Sequence, residues 1–135
     1  MKQLNSLEKR DLLASRKFDP ATILAYAEEY FAHERFGEAF EFYRKIADAN
    51  GVLKVKREAI RVGDPETLWR IQQYDGAQVA EGDWIACGDN AMQAGKYRSA
   101  AYCFERVKQE AKLAEALRAI SPESATPSPL SPQPN

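Results

Sequence analysis

Only one histidine, His33, and two cysteines, Cys87 and Cys103, occur among the 135 residues. Nucleophile–base pairs and zinc sites draw on these residue types in clusters, and three scattered side chains make no such constellation. No run approaches the roughly 18 apolar residues of a membrane span. The opening Met1-Lys2-Gln3-Leu4-Asn5 lacks the long apolar core of a secretory signal, so a cytoplasmic protein is expected. Glycines stand singly at expected turns and never form a loop that could cradle phosphate. A strong charge of one sign is missing too: the formal net charge is −1, which argues against general attraction to nucleic acid or to a membrane surface. These absences together lead to the expectation of a protein that is not an enzyme and carries no cofactor or metal.

What the chain does have is 44% hydrophobic and 29% charged residues, the balance of a globular domain able to bury a core. Cys87 and Cys103 sit among apolar neighbours and read as reduced thiols acting as small hydrophobes. His33 reads as solvent-facing, and Glu28, Glu29, Glu34, Glu38 and Glu41 read as ordinary charges on helix surfaces.

The helix signals come in order. Ser6 is placed to cap a helix through about Lys17, with Leu7, Leu12, Leu13 and Phe18 as its apolar side chains. Asp19-Pro20 starts a hairpin over residues 20–49, which Asn50-Gly51 is expected to end. A shorter unit follows over 52–74. Val52, Val55, Ala59 and Val62 recur there at helical spacing, Gly63-Asp64-Pro65 is both stop and start, and Leu68, Trp69 and Ile71 form the apolar side of its second helix. The last hairpin is expected over 83–110 and a closing helix over 111–120. One helical domain thus covers 1–120, and the tail 121–135, with five of the seven prolines and no periodic apolar pattern, is expected to be disordered.

Two of these hairpins repeat each other. An offset of 61 residues aligns Ile23 with Trp84, Tyr26 with Cys87, Ala27 with Gly88, Tyr30 with Ala91, Phe36 with Tyr97, Ala39 with Ala100, Tyr43 with Phe104 and Ile46 with Val107. The turn glycine Gly95 has Glu34 as its counterpart. In the later copy, Trp84, Gly88, Ala91, Gly95, Tyr97, Ala100 and Phe104 follow the order aromatic, small, small, turn glycine, aromatic, small, aromatic. This resembles the tetratricopeptide repeat, a helix–turn–helix unit of about 34 residues. Removing that period from the offset of 61 leaves about 27 residues for a shortened middle unit. In such a hairpin Gly88 and Ala100 would let two backbones approach closely while the large rings seal the contact.

The resemblance implies an all-α fold: a right-handed α-α superhelix of about three hairpins with capping helices at 6–17 and 111–120. It also implies an adaptor function, binding a peptide or helix of a partner protein in a concave groove lined by each repeat's first helix. The groove-facing residues expected by helical spacing are Leu24, Glu28, Phe31 and Ala32 in the first copy, and Ile85, Asp89, Met92 and Gln93 in the last. Between them Lys54, Arg57 and Arg61 share a helix face in a segment, 51–62, that carries four basic residues and one acidic one. They are expected either to attract acidic groups on the partner or to neutralise the adjacent acidic helices. The alternative from another class is a small structural or assembly subunit that self-associates or docks through its hairpin faces. In the tail, Pro129-Leu130-Ser131-Pro132 has the spacing of a polyproline ligand, and a plain solubilising extension is the alternative there.

Overall fold

A computed structural model describes residues 3–120, so the tail and the expectation of its disorder lie outside the described residues. Those residues are all-helical. In chain order they form α1 (Ser6–Ala14), α2 (Pro20–Ala32), α3 (Phe36–Lys45), α4 (Ala49–Val62), α5 (Pro65–Tyr74), α6 (Glu81–Gln93), α7 (Tyr97–Arg106) and α8 (Glu110–Ile120). A single 3-10 turn, Gly76–Gln78, lies between α5 and α6. They gather into two compact units that divide within α4, after Glu58.

Several helix starts follow side-chain caps, whereas α3 and α7 begin without one. Asp19 accepts from the Ala21 N–H at 3.1 Å ahead of Pro20, and Asp64 accepts from the Thr67 N–H at 3.2 Å ahead of Pro65, as the sequence leads one to expect. α6 starts at Glu81, two residues ahead of the expected 83, and the Asp83 carboxylate reaches back to accept from the Ala80 N–H at 2.9 Å. At α1 the cap is Asn5, not Ser6. Its side chain accepts from the Glu8 N–H at 2.8 Å, and the Glu8 carboxylate accepts from the Asn5 N–H at 3.1 Å, a reciprocal pair that a serine one residue later could not make. This helix stops at Ala14, short of Lys17, and the Lys45 ammonium donates to the Leu13 and Ser15 carbonyls at its end, both at 2.7 Å. No α1 side chain is fully buried, so lysines of both partners hold it: Lys9 also pairs with Glu38 at 2.8 Å.

The 61-residue recurrence extends beyond the hairpin to three helices. Residues 20, 36 and 49 open α2, α3 and α4; residues 81, 97 and 110 open α6, α7 and α8. Both breaks recur as well. Glu34 (φ 60°) matches Gly95 (φ 76°), and Ala47 (φ 51°) matches Lys108 (φ 58°). Each break closes with the long backbone hydrogen bond of a left-handed helix terminus: Arg35 N–H to the Tyr30 carbonyl at 2.9 Å, Lys96 to Ala91 at 2.8 Å, Asp48 to Tyr43 at 3.0 Å, and Gln109 to Phe104 at 2.9 Å.

Asn50-Gly51 therefore does not end the first hairpin. Ala47 takes the left-handed conformation, and Asn50 and Gly51 lie in the first turn of α4, where the Asp48 carboxylate accepts from the Gly51 N–H at 3.0 Å. Gly51 serves a close approach instead: a Cβ there would stand 2.1 Å from the nearest ring carbon of Tyr43. Gly88 plays the same part in the second unit, and its neighbour is Phe104 rather than the expected Ala100; a Cβ on it would meet that ring at 2.5 Å. Around these contacts the first unit buries Ile23, Ala27, Phe40, Phe42, Val52 and Val55, and the second buries Leu68, Ile71, Trp84, Cys87 and Cys103. Trp69 departs from expectation. Leu68 and Ile71, three residues apart, share the buried face of α5, which turns the intervening Trp69 outward to 40% exposure.

Two substitutions should move stability in opposite directions. Gly51→Ala improves helix propensity by about 1 kcal/mol but drives a methyl into the Tyr43 ring, and a net loss of ~1–3 kcal/mol is expected. Glu34→Gly relieves a left-handed residue that costs ~1–2 kcal/mol, less the added backbone entropy of glycine, for a gain of up to ~1 kcal/mol. Urea midpoints measured on both variants check the pair, and a Gly51→Ala chain as stable as the parent would contradict the ring contact.

Candidate partner-binding surface

In the first unit two of the four expected groove residues of α2, Glu28 and Phe31, meet in one charged cluster. Lys54 reaches from α4 to place its ammonium 3.2 Å from the Glu28 carboxylate, 4.4 Å from the centre of the Phe31 ring and 5.5 Å from that of Tyr43. The Tyr43 hydroxyl donates to the same carboxylate. That hydrogen bond first, and Lys54 second, hold the Glu28 carboxyl below its ordinary value of 4.5 against the opposing effect of burial. Burial, with the carboxylate beside it, pushes the Tyr43 hydroxyl up. Phe31 is half-buried and packs at 5.3 Å on Phe36. Leu24 and Ala32, one turn to either side of Glu28, are exposed, so α2 presents two apolar side chains flanking a carboxylate whose charge is already matched.

The second unit repeats the pairing with different residues. Asp89 on α6 meets Lys112 on α8 at 2.8 Å, and that ammonium lies 5.7 Å from the centre of the Phe104 ring. Met92 packs against the cluster of Ala91, Ala100, Ala101, Phe104 and Ala116, Ile85 is half-buried, and Gln93 is exposed. Of the three α4 cations expected at the groove, Lys54 is engaged by Glu28, and Arg57 and Arg61 are exposed on the surface. Tyr43 and Lys112 belong to these clusters without having been expected there. Lys112 lies 23 residues from its carboxylate, a separation at which charge spacing along a helix carries no signal.

His33 is exposed at the end of α2, its Nδ1 2.9 Å from the Glu29 carbonyl. Cys87 and Cys103 are free thiols and buried; the adjacent Cys103 and burial push the Cys87 thiol up, away from the reactive thiolate. Among the described residues no group of three or more His, Cys, Asp or Glu could hold a metal ion, and no helix is long and apolar enough to cross a membrane. Comparison of the chain with protein-family models, with curated proteins and with solved structures found no match in any of the three.

The cluster makes stability depend on acid. Glu28 is held below its ordinary value, and so is Glu38, where burial pushes up but hydrogen bonds from Lys9 and Arg35 prevail. A carboxylate lowered in the folded state contributes stability above its unfolded value and loses it as pH falls through the folded one, so stability should drop below about pH 5. Tyr43→Phe removes the main cause acting on Glu28. The difference between urea midpoints at pH 7 and pH 4 should then be smaller than in the parent chain; an unchanged difference would disconnect Glu28 from folding.

Proposed function

We propose that this chain is a non-catalytic adaptor of the tetratricopeptide-like class, which binds a peptide or helix segment of another protein on its first-helix surfaces. The right-handed α-α superhelix, with hairpins α2–α3, α4–α5 and α6–α7 and with α1 and α8 as terminal caps, is part of the same proposal. The observation that carries it is the recurrence of three successive helices and both intervening breaks at a 61-residue offset. Repeat proteins of this kind build extended binding surfaces from equivalent helices.

On α2 the binding patch comprises Leu24, Phe31 and Ala32 around the neutralised Glu28, with Arg57 as its cation. Met92 and Gln93 beside Asp89 form the corresponding patch on α6. Arg61 adds a further exposed cation on α4. Sparse apolar anchors with a few charges suit a partner segment that is amphipathic, its acidic side chains meeting the arginines.

The test is a pull-down with the full chain from its source lysate, followed by affinity measurements on the captured protein. Leu24→Asp with Arg57→Glu should weaken binding by at least about tenfold, with helical circular dichroism unchanged. Binding by the parent chain should weaken as salt rises. Affinity that survives the double substitution and ignores salt would remove this surface from the interaction. Self-association in sedimentation without affinity for short segments would instead favour an assembly subunit.

A further inference from the structure

Trp69 on α5 and Tyr102 on α7 are 40% and 43% exposed, a large apolar area that the first-helix surfaces do not use. Together with Pro65, Glu66, Arg98 and Ser99 they line a groove of about 330 Å³. Glu66 is bridged by Arg70 at 3.2 Å, which leaves Arg98 as the cation beside the two aromatic rings of the lining. Aromatic grooves of this sort receive polyproline segments, whose prolyl rings pack on the aromatic faces and whose backbone loses little entropy on binding.

The position of α8 singles out an occupant. Its last residue, Ile120, lines an adjoining hollow with Gly95, Lys96, Tyr97, Arg98 and Ser99, and Arg98 and Ser99 belong to both hollows. The chain therefore leaves α8 beside the aromatic groove. Residues 121–135 hold five prolines, including Pro129-Leu130-Ser131-Pro132, and their one charged side chain is acidic, Glu123, complementary to Arg98. Pro129 lies nine residue steps beyond Ile120. At the polyproline rise they span roughly 28 Å, more than twice the ~10–12 Å width of a helix. We propose that the groove between Trp69 and Tyr102 is a docking site for this chain's own Pro129–Pro132 segment. Tethering so close to the groove gives the segment an effective concentration in the millimolar range, which a foreign proline-rich segment must overcome to enter.

The Trp69 indole lines the groove and reports its occupancy, while helical circular dichroism reports the fold; Trp84, buried with its indole N–H on Gln72 at 3.1 Å, packs at 6.0 Å on the Tyr102 ring of the same groove. In the full chain carrying Pro129→Ala and Pro132→Ala, the Trp69 indole N–H resonance, assigned with Trp69→Phe, should shift and its acrylamide quenching should rise, with helical circular dichroism unchanged. A synthetic peptide of residues 121–135 should return Trp69 to its parent position in that variant, at concentrations too low to act on the parent chain. Identical Trp69 resonances in the parent and the double variant would overturn the proposal. So would a peptide that titrates both chains alike, which would mean that the groove stands open to another protein's proline-rich segment.

Discussion

An aromatic ring seated against a glycine is the contact on which both units depend. Tyr43 and Phe104 occupy the same position in the 61-residue recurrence, both fully packed away from solvent on the second helix of a hairpin. Each ring needs more room than a helix–helix contact between ordinary side chains provides. The first unit makes the room on its third helix, at Gly51, and the second makes it on its first helix, at Gly88. The aligned counterparts are Lys112 and Ala27, so the two units place the same void on opposite sides of equivalent rings. Space for the ring, rather than identity at any one neighbouring position, is what recurs.

That difference decides where the cations come from. In the first unit Gly51 lies against the ring, and Lys54, one turn later on α4, crosses to Glu28. In the second, Lys112 stands at the position equivalent to Gly51 and itself meets Asp89 and the ring of Phe104. Both arrangements leave a first-helix carboxylate matched by a third-helix ammonium above an aromatic face. An exposed ion pair of this kind contributes little stability in water, about 0–1 kcal/mol. What it changes more is the local field: a carboxylate already matched within the fold repels nearby acidic groups less than a bare one would.

How much of this was legible in the sequence follows from range. Asp19-Pro20 and Asp64-Pro65 act within one turn of their helices and place α2 and α5 correctly. The offset of 61 residues is legible because eight packing positions carry it together. Asn50-Gly51 misleads because glycine at a helix start reads the same whether it supplies a left-handed turn or an empty Cβ position, and only the Tyr43 ring, eight residues upstream, distinguishes them. Trp69 misleads by hydrophobicity alone, since its neighbours Leu68 and Ile71 claim the buried face. The Lys54–Glu28 and Lys112–Asp89 pairs join residues 26 and 23 apart, and nothing local announces them.

The breaks between helices carry the same lesson about what governs the fold. Of the four left-handed residues that close the recurring helices, only Gly95 is a glycine; Glu34, Ala47 and Lys108 adopt the conformation at a cost of ~1–2 kcal/mol each. Local preference therefore does not set these turns. Residues on either side of them are fixed by packing: Tyr30 and Phe36 around the first, Tyr43 and Val52 around the second, Phe104 and Leu113 around the last. With both flanking helices held by their rings, the chain has few residues in which to reverse, and the long hydrogen bond across each break satisfies a carbonyl that an extended exit would leave bare. The strained residue is then the consequence of where the rings sit. A glycine at Gly95 eases the turn but is not needed to specify it, which is why Glu34 can stand in the equivalent place with the same geometry.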